Sequence, residues 1–207
     1  MDKQEQDKGA DTPASSDDKL LWRAFKNGDQ QAYARIYQQH VRLMFKYGSK
    51  LTPDRDLVKD CIQELFLYLW ERREHLGDTE HIRFYLFRSL RRSIISKLKK
   101  TDGDLLSSEI SPDYNFISVA SFESDLISNQ SSEEYHQRLK DALSQLPDRQ
   151  KEAIYLKYYH NLSFEEIASV MQVSKRPIYK FIYKALRTLQ KSLLHILISL
   201  FLLLIFT

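Results

Sequence analysis

Between Ser174 and Lys191 the chain carries Lys175, Arg176, Lys180, Lys184 and Arg187 without an acidic residue, and Tyr179 and Tyr183 fall among them. Cations interleaved with flat rings suit phosphate neutralisation and contact with bases. A second basic run, Arg83, Arg88, Arg91, Arg92, Lys97, Lys99 and Lys100, also lacks acids and is interleaved with Phe84, Tyr85 and Phe87. Asp60, Gln63 and Glu64 stand at i, i+3 and i+4 and would share one face of a helix. Taken alone, that face reads more readily as an ordinary solvated stripe. No GxxxxGK[ST] loop or HExxH helix occurs, and His40, His75, His81, His136, His160 and His195 are scattered without metal-ligand spacing. Cys61 is the single cysteine, so it forms no internal disulfide, and its apolar setting is that of a core residue. No catalytic residue, metal or cofactor is expected, and an enzyme is the disfavoured reading.

These residues need elements to hold them. In 207 residues, 43% hydrophobic and 29% charged, there is apolar mass for one or two small domains. Five Gly and five Pro leave little room for a turn-rich β architecture, and an all-α fold is expected. The net charge of +3 is too small to name a partner, so the distribution of charge must do so. Residues 1–18 have no apolar periodicity and read as a disordered tail with no signal-peptide core, which places the body of the protein in the cytoplasm. From 19 to 100 apolar residues recur at helical spacing, with breaks at Asn27-Gly28, at Thr52-Pro53 and near Gly77. Residues 101–134 carry eight acids and no Lys or Arg, an acidic flexible linker. A second helical domain spans 135–191, and 192–207 form an apolar C-terminal helix.

The stretch "LSFEEIASVMQVSKRPIYKFIYKAL" reads as two short helices around a tight break. Ser163 and Glu166 have the spacing of a capping box, with Ile167, Ala168 and Met171 on the buried side. After Gln172-Val173, Ser174 is placed to cap a second helix and Pro177 falls in its first turn, where a missing N–H costs little. Ile178, Ile182 and Ala185 would face the core. Lys175, Arg176, Tyr179, Lys180, Tyr183, Lys184 and Arg187 would face out, toward a major groove if the motif is a DNA-binding helix-turn-helix. A basic amphipathic helix with no such role is the plain alternative.

Residues 146–186, from "LPDRQKEAIYLKYYHN" through the helix-turn-helix, resemble region 4 of bacterial sigma factors of the extracytoplasmic-function group. Pro147, Arg149, Gln150, Glu165, Glu166, Ile167, Ala168, Ser174, Lys184, Ala185 and Leu186 match that pattern, while Pro177 stands where Thr is usual. "DCIQELFLYLWERRE" resembles region 2.2, with Leu57, Ile62, Leu65, Phe66, Leu69 and Trp70 as its apolar mass. "RFYLFRSLRRSIISKLKK" resembles regions 2.3 and 2.4, with Arg92 and Ser96 where the family often has Asn and Asp. The resemblance implies a sigma subunit of RNA polymerase, in which a region 2-like domain and a region 4-like domain contact the β′ clamp helices and β subunit of the core enzyme. It implies that Asp60, Gln63 and Glu64 bind core polymerase. The basic run from Arg83 to Lys100 would open and read the −10 element, with most of its rings in the core. Ser174, Lys175, Arg176, Tyr179, Lys180, Tyr183, Lys184 and Arg187 would read the −35 element. An anti-sigma factor is an implied partner. The acidic linker would thread through the polymerase, or it is a solvated tether.

"SLLHILISLFLLLIFT" lies outside this pattern, sixteen uncharged residues against the roughly 17–25 of a spanning helix. It could extend the last helix and fold back on an apolar groove, insert in the inner membrane as a tail anchor, or mediate self-association. A stand-alone helix-turn-helix regulator, tethered to a membrane by this tail or not, is the alternative to a sigma factor.

Overall fold

The computed structural model describes residues 13–101, Phe116 and 139–205, and among them every regular element is helical. The first unit has four helices: α1 (Pro13–Lys26), α2 (Gln30–Leu51), α3 (Arg55–Arg72) and α4 (Ile82–Thr101), with a short 3₁₀ turn at Arg73–His75. The stops lie at the breaks visible in the sequence. Gly28 takes φ +89°, a left-handed conformation that ends α1. Asp29 and Asp54 then cap α2 and α3, each carboxylate accepting two backbone N–H groups.

Ordered structure starts earlier than expected. The helix begins at Pro13, and Asp18, inside the range read as a tail, accepts the N–H of Ile82 at 3.0 Å and so closes the start of α4. Burial explains why α1 is held: Trp22 and Phe25 are fully enclosed, and the Trp22 indole donates to the Gly77 carbonyl at 2.9 Å. Enclosing each such ring contributes about 2–3 kcal/mol before entropy is charged. Residues 1–12 lie outside the description. Gly48 lets α2 approach its neighbours, since a Cβ there would sit 2.6 Å from Val58 and 3.2 Å from Ile94.

The second unit begins with α5 (helical residues 139–144) and α6 (Asp148–Ile154). A π turn (Tyr155–Tyr159), α7 (Phe164–Val170) and α8 (Lys175–Ile205) follow. The π turn was not legible beforehand; it turns Tyr155 and Leu156 inward and leaves Tyr158 exposed. The capping box forms as its spacing predicts: Glu166 N–H reaches Ser163 Oγ at 3.2 Å, and Ser163 N–H reaches Glu166 Oε2 at 2.8 Å. Gln172, at φ 55°, makes the tight turn between α7 and α8.

The two units share one hydrophobic core. Tyr47 and Phe87 of the first stack against each other at 5.0 Å, and Tyr155 and His160 of the second close over them. Phe116 is buried against Tyr155 at 5.8 Å, so the segment read as a flexible linker is anchored at that point; 102–115 and 117–138 lie outside the described residues. The backbone of α8 continues unbroken into the apolar tail as far as Ile205, while 206–207 and the side chains from 192 onward are outside the description. Among the described residues no helix is long and apolar enough to cross a membrane; the tail's side chains, on which the membrane contact considered for it turns, lie outside them.

Candidate nucleic-acid interface

Helix α8 positions the first set of cations. Ile178, Ile182 and Ala185 are buried, which fixes its rotation. Ser174, Lys175, Arg176, Tyr179, Lys180, Tyr183, Lys184 and Arg187 are all exposed on the opposite side. Arg176, Lys180, Lys184 and Arg187 follow one another at i, i+4, i+8 and i+11, one continuous basic ridge. The rings beside it are braced. Tyr179 stacks on Phe164 of α7 with centroids 4.3 Å apart and planes 20° apart. Lys175 lies 5.5 Å over the Tyr179 ring and pairs with Glu165, and Lys157 lies 4.9 Å over Phe164. Phe164 is thus a site residue that charge counting passes over. Its signal in the sequence was its place beside the cap, where a ring on α7 reaches α8 across the turn.

Helix α4 carries the second set, and the seven basic residues do not share one face. Arg88, Arg92 and Lys100 are exposed, Arg88 and Arg92 one turn apart at i and i+4. Lys97 and Lys99 are half-buried, Lys97 pairing with Glu64 at 2.7 Å, a bond that holds its ammonium above the ordinary lysine range. Arg83 is half-buried and donates to the His160 carbonyl at 3.4 Å. Arg91 departs from the expected basic face: its side chain is 2% exposed and bonds to Glu152 of α6 through Nε at 2.8 Å. The position explains this, because Arg91 follows Phe87 by four residues and precedes Ile94 by three, on the apolar stripe. Phe87 is buried and Tyr85 packs on Trp22, so these two rings belong to the core.

Glu152 is the residue that sequence reasoning missed entirely. Fully buried, its carboxylate accepts from Tyr47 at 2.6 Å and from both Nε and Nη2 of Arg91. Nothing in "KEAIYL" marks it, since a helical Glu beside a Lys reads as solvated. Around it His160 is held neutral, its pKa pushed down to about 3 by burial and then by Arg83, Lys46 and Lys50. Burial also lowers the Lys50 ammonium, which lies 5.1 Å over the Tyr155 ring.

On α3, Asp60, Gln63 and Glu64 are exposed together on one face. Leu67 and Tyr68, 58% and 52% exposed, extend that surface by a further turn. Cys61 is enclosed beneath it, its thiol pushed up by burial. Among the described residues no group of His, Cys, Asp and Glu is gathered that could hold a metal ion.

The family model "Sigma-70 region 2" matches residues 36–103, and "Sigma-70, region 4" matches 136–189. Among characterised proteins, the chain is 24% identical over 155 residues to the ECF RNA polymerase sigma factor SigM of Bacillus subtilis, covering 75% of this chain and 91% of that protein. It is 26% identical over 168 residues to the ECF RNA polymerase sigma factor SigL of Mycobacterium tuberculosis, covering 76% and 86%. Two solved structures share the fold. One is CnrH in complex with the cytosolic domain of CnrY, with TM-score 0.52, 19% identity and coverage of 85% and 96%. The other is the sigma factor RpoE with the anti-sigma factor NepR from Bartonella quintana, with TM-score 0.55, 20% identity and coverage of 78% and 96%.

Proposed function

Because the chain belongs to the sigma-70 family, in its extracytoplasmic-function group, we propose that it binds core RNA polymerase and directs initiation at promoters read through −10 and −35 elements. The observation that carries this reading is the basic ridge of α8, wholly exposed on the second helix of a helix-turn-helix, in the same chain as the exposed polar face of α3. A free-standing regulator would need the first surface but not the second. On α3, Leu67 supplies an apolar centre and Asp60, Gln63 and Glu64 a polar rim, the make-up of a protein interface. That surface is assigned to the β′ clamp helices.

Arg176, Lys180, Lys184 and Arg187 would bind phosphates flanking the −35 element, while Lys175, Tyr179 and Tyr183 approach base edges. Arg88, Arg92 and Lys100 would hold the backbone of the −10 region as it opens. Bond formation is left to the polymerase, and the site of action is the cytoplasm, where promoter and core enzyme are. An anti-sigma factor is the proposed regulatory partner, by analogy with the complexes of RpoE and CnrH. The test is capture of the full chain by purified core polymerase. Wild type should be retained, and a variant with Asp60, Gln63 and Glu64 all changed to Ala should lose retention by tenfold or more, roughly the yield of a small hot-spot cluster. Equal retention of both forms would remove this face from the assignment.

A further inference from the structure

Tyr68 stands at the edge of α3 that borders α4, 52% exposed, and among the described residues no hydrogen bond or ring contact ties it down. The two helices run antiparallel along a shared seam, because Glu64 pairs with Lys97 while Tyr68, one turn later, acts on Tyr85. Tyr85 is a fixed support there: half-buried, packed on Trp22 with centroids 5.1 Å apart, and hydrogen-bonded to Ser89. Burial raises its hydroxyl, Tyr68 adds to the rise, and Ser89 and then Arg88 oppose it, so an exposed ring and an exposed guanidinium lie within electrostatic reach of one phenol. Arg92 follows Arg88 by one turn of α4, and Arg72 follows Tyr68 by one turn of α3. Both are exposed.

A free ring bordered by guanidinium groups from two helices has the make-up of a platform for a single strand. An unpaired base offers its face to the ring, and the cations follow the phosphates. The nearby acids do not cancel this field. Glu64, one turn before Tyr68, is bonded to Lys97, and Glu71 continues the stripe of Asp60, Glu64 and Leu67 assigned to polymerase. We propose that Tyr68 stacks on an unpaired base of the opened promoter strand, with Arg88 and Arg92 of α4 and Arg72 of α3 holding the phosphates that flank it. The ring comes from α3 because those of the basic run are engaged, Phe87 in the core and Tyr85 against Trp22. The inference deepens the sigma reading and rests on it for the identity of the strand.

The test uses the full chain, alone and with core polymerase, and a single-stranded thymine oligonucleotide carrying iodouracil. Illumination should join this strand to Tyr68, as read by mass spectrometry of the peptides. In fluorescence anisotropy with the chain alone, Tyr68→Ala should bind the strand about tenfold more weakly, the loss of one stacked base, at unchanged salt slope and helical content. Tyr68→Phe should bind like the parent, because stacking needs the ring and not the hydroxyl. Arg88→Ala should instead lower the salt slope by about 0.7, the yield of one phosphate contact on a single strand. Parent-like binding by Tyr68→Ala, cross-links that all map elsewhere, or no strand binding by the parent in either form would overturn the assignment. So would a Tyr68→Ala chain that loses core polymerase while keeping the strand, since that places the ring in the protein interface of α3. Failure of the parent to bind core polymerase would refute the sigma reading, and strand binding by the free chain would still decide the role of Tyr68.

Discussion

Lys180 and Phe164 illustrate two ways in which a residue can serve a DNA surface. Lys180 is an exposed cation on the α8 ridge, and Lys180→Ala is expected to weaken −35 binding across sequences and to lower the salt slope by about one unit. Phe164 carries no charge and stacks beneath Tyr179. Phe164→Ala is expected to weaken binding while leaving the salt slope in place, because it loosens a ring without removing a counterion-releasing group. Fluorescence anisotropy over a salt series separates the two, and a fall in slope for Phe164→Ala would refute its positioning role. The cations of α8 were legible from sequence because nothing acidic interrupts them and their buried counterparts fall at helical spacing. Arg91 was misplaced because a run of like charges hides which members lie on the apolar stripe. Glu152 was invisible because its partners come from another part of the chain, and no local pattern records them.

At the scale of elements, caps and close approaches carry the stability. Ser163→Ala removes one half of the capping box and is expected to cost about 1 kcal/mol, read as a shift in the denaturation midpoint. Gly48→Ala tests the junction of α2 with α3 and α4. The new methyl would stand 2.6 Å from a methyl of Val58, a stiff, fully buried side chain, so overpacking of about 1–3 kcal/mol should outweigh the gain of about 1 kcal/mol in helix propensity. A more stable Gly48→Ala would mean that the helices can part there without loss. The start of α7 was readable because Ser163 and Glu166 carry the capping-box spacing, whereas the caps Asp29 and Asp54 were passed over, the sequence marking there only the breaks at Asn27-Gly28 and Thr52-Pro53. The π turn at Tyr155–Tyr159 was not readable, because five consecutive helical residues keep the same composition whether or not one extra residue is taken into the turn.

For the whole molecule, the all-α architecture followed from composition and period, whereas the closed arrangement of its units did not. Closure rests on a carboxylate, a guanidinium, rings and a histidine meeting across units, and pairs of that sort leave no periodic trace. His160 gives it a pH dependence. Its folded-state pKa, about 3, lies below the ordinary value near 6.5, so its contribution is fully present above about pH 6.5 and is lost as pH falls toward 3. Thermal melts should therefore show falling stability from pH 7 to pH 4.5, His40, lowered to about 4 by burial, adding to the same trend. His160→Phe should flatten the dependence, and an unchanged slope would take His160 out of this role.

The decisive experiment for the role as a whole is transcription in vitro from a fragment library of the source genome, with core polymerase supplied alone or together with the full chain. Transcripts that start at defined promoters only when the chain is present, and that disappear with the Arg176, Lys180, Lys184 and Arg187 alanine variant, are the expected result. Transcripts indifferent to the chain, together with tight promoter binding by the chain alone, would contradict a sigma factor and favour a free-standing helix-turn-helix regulator.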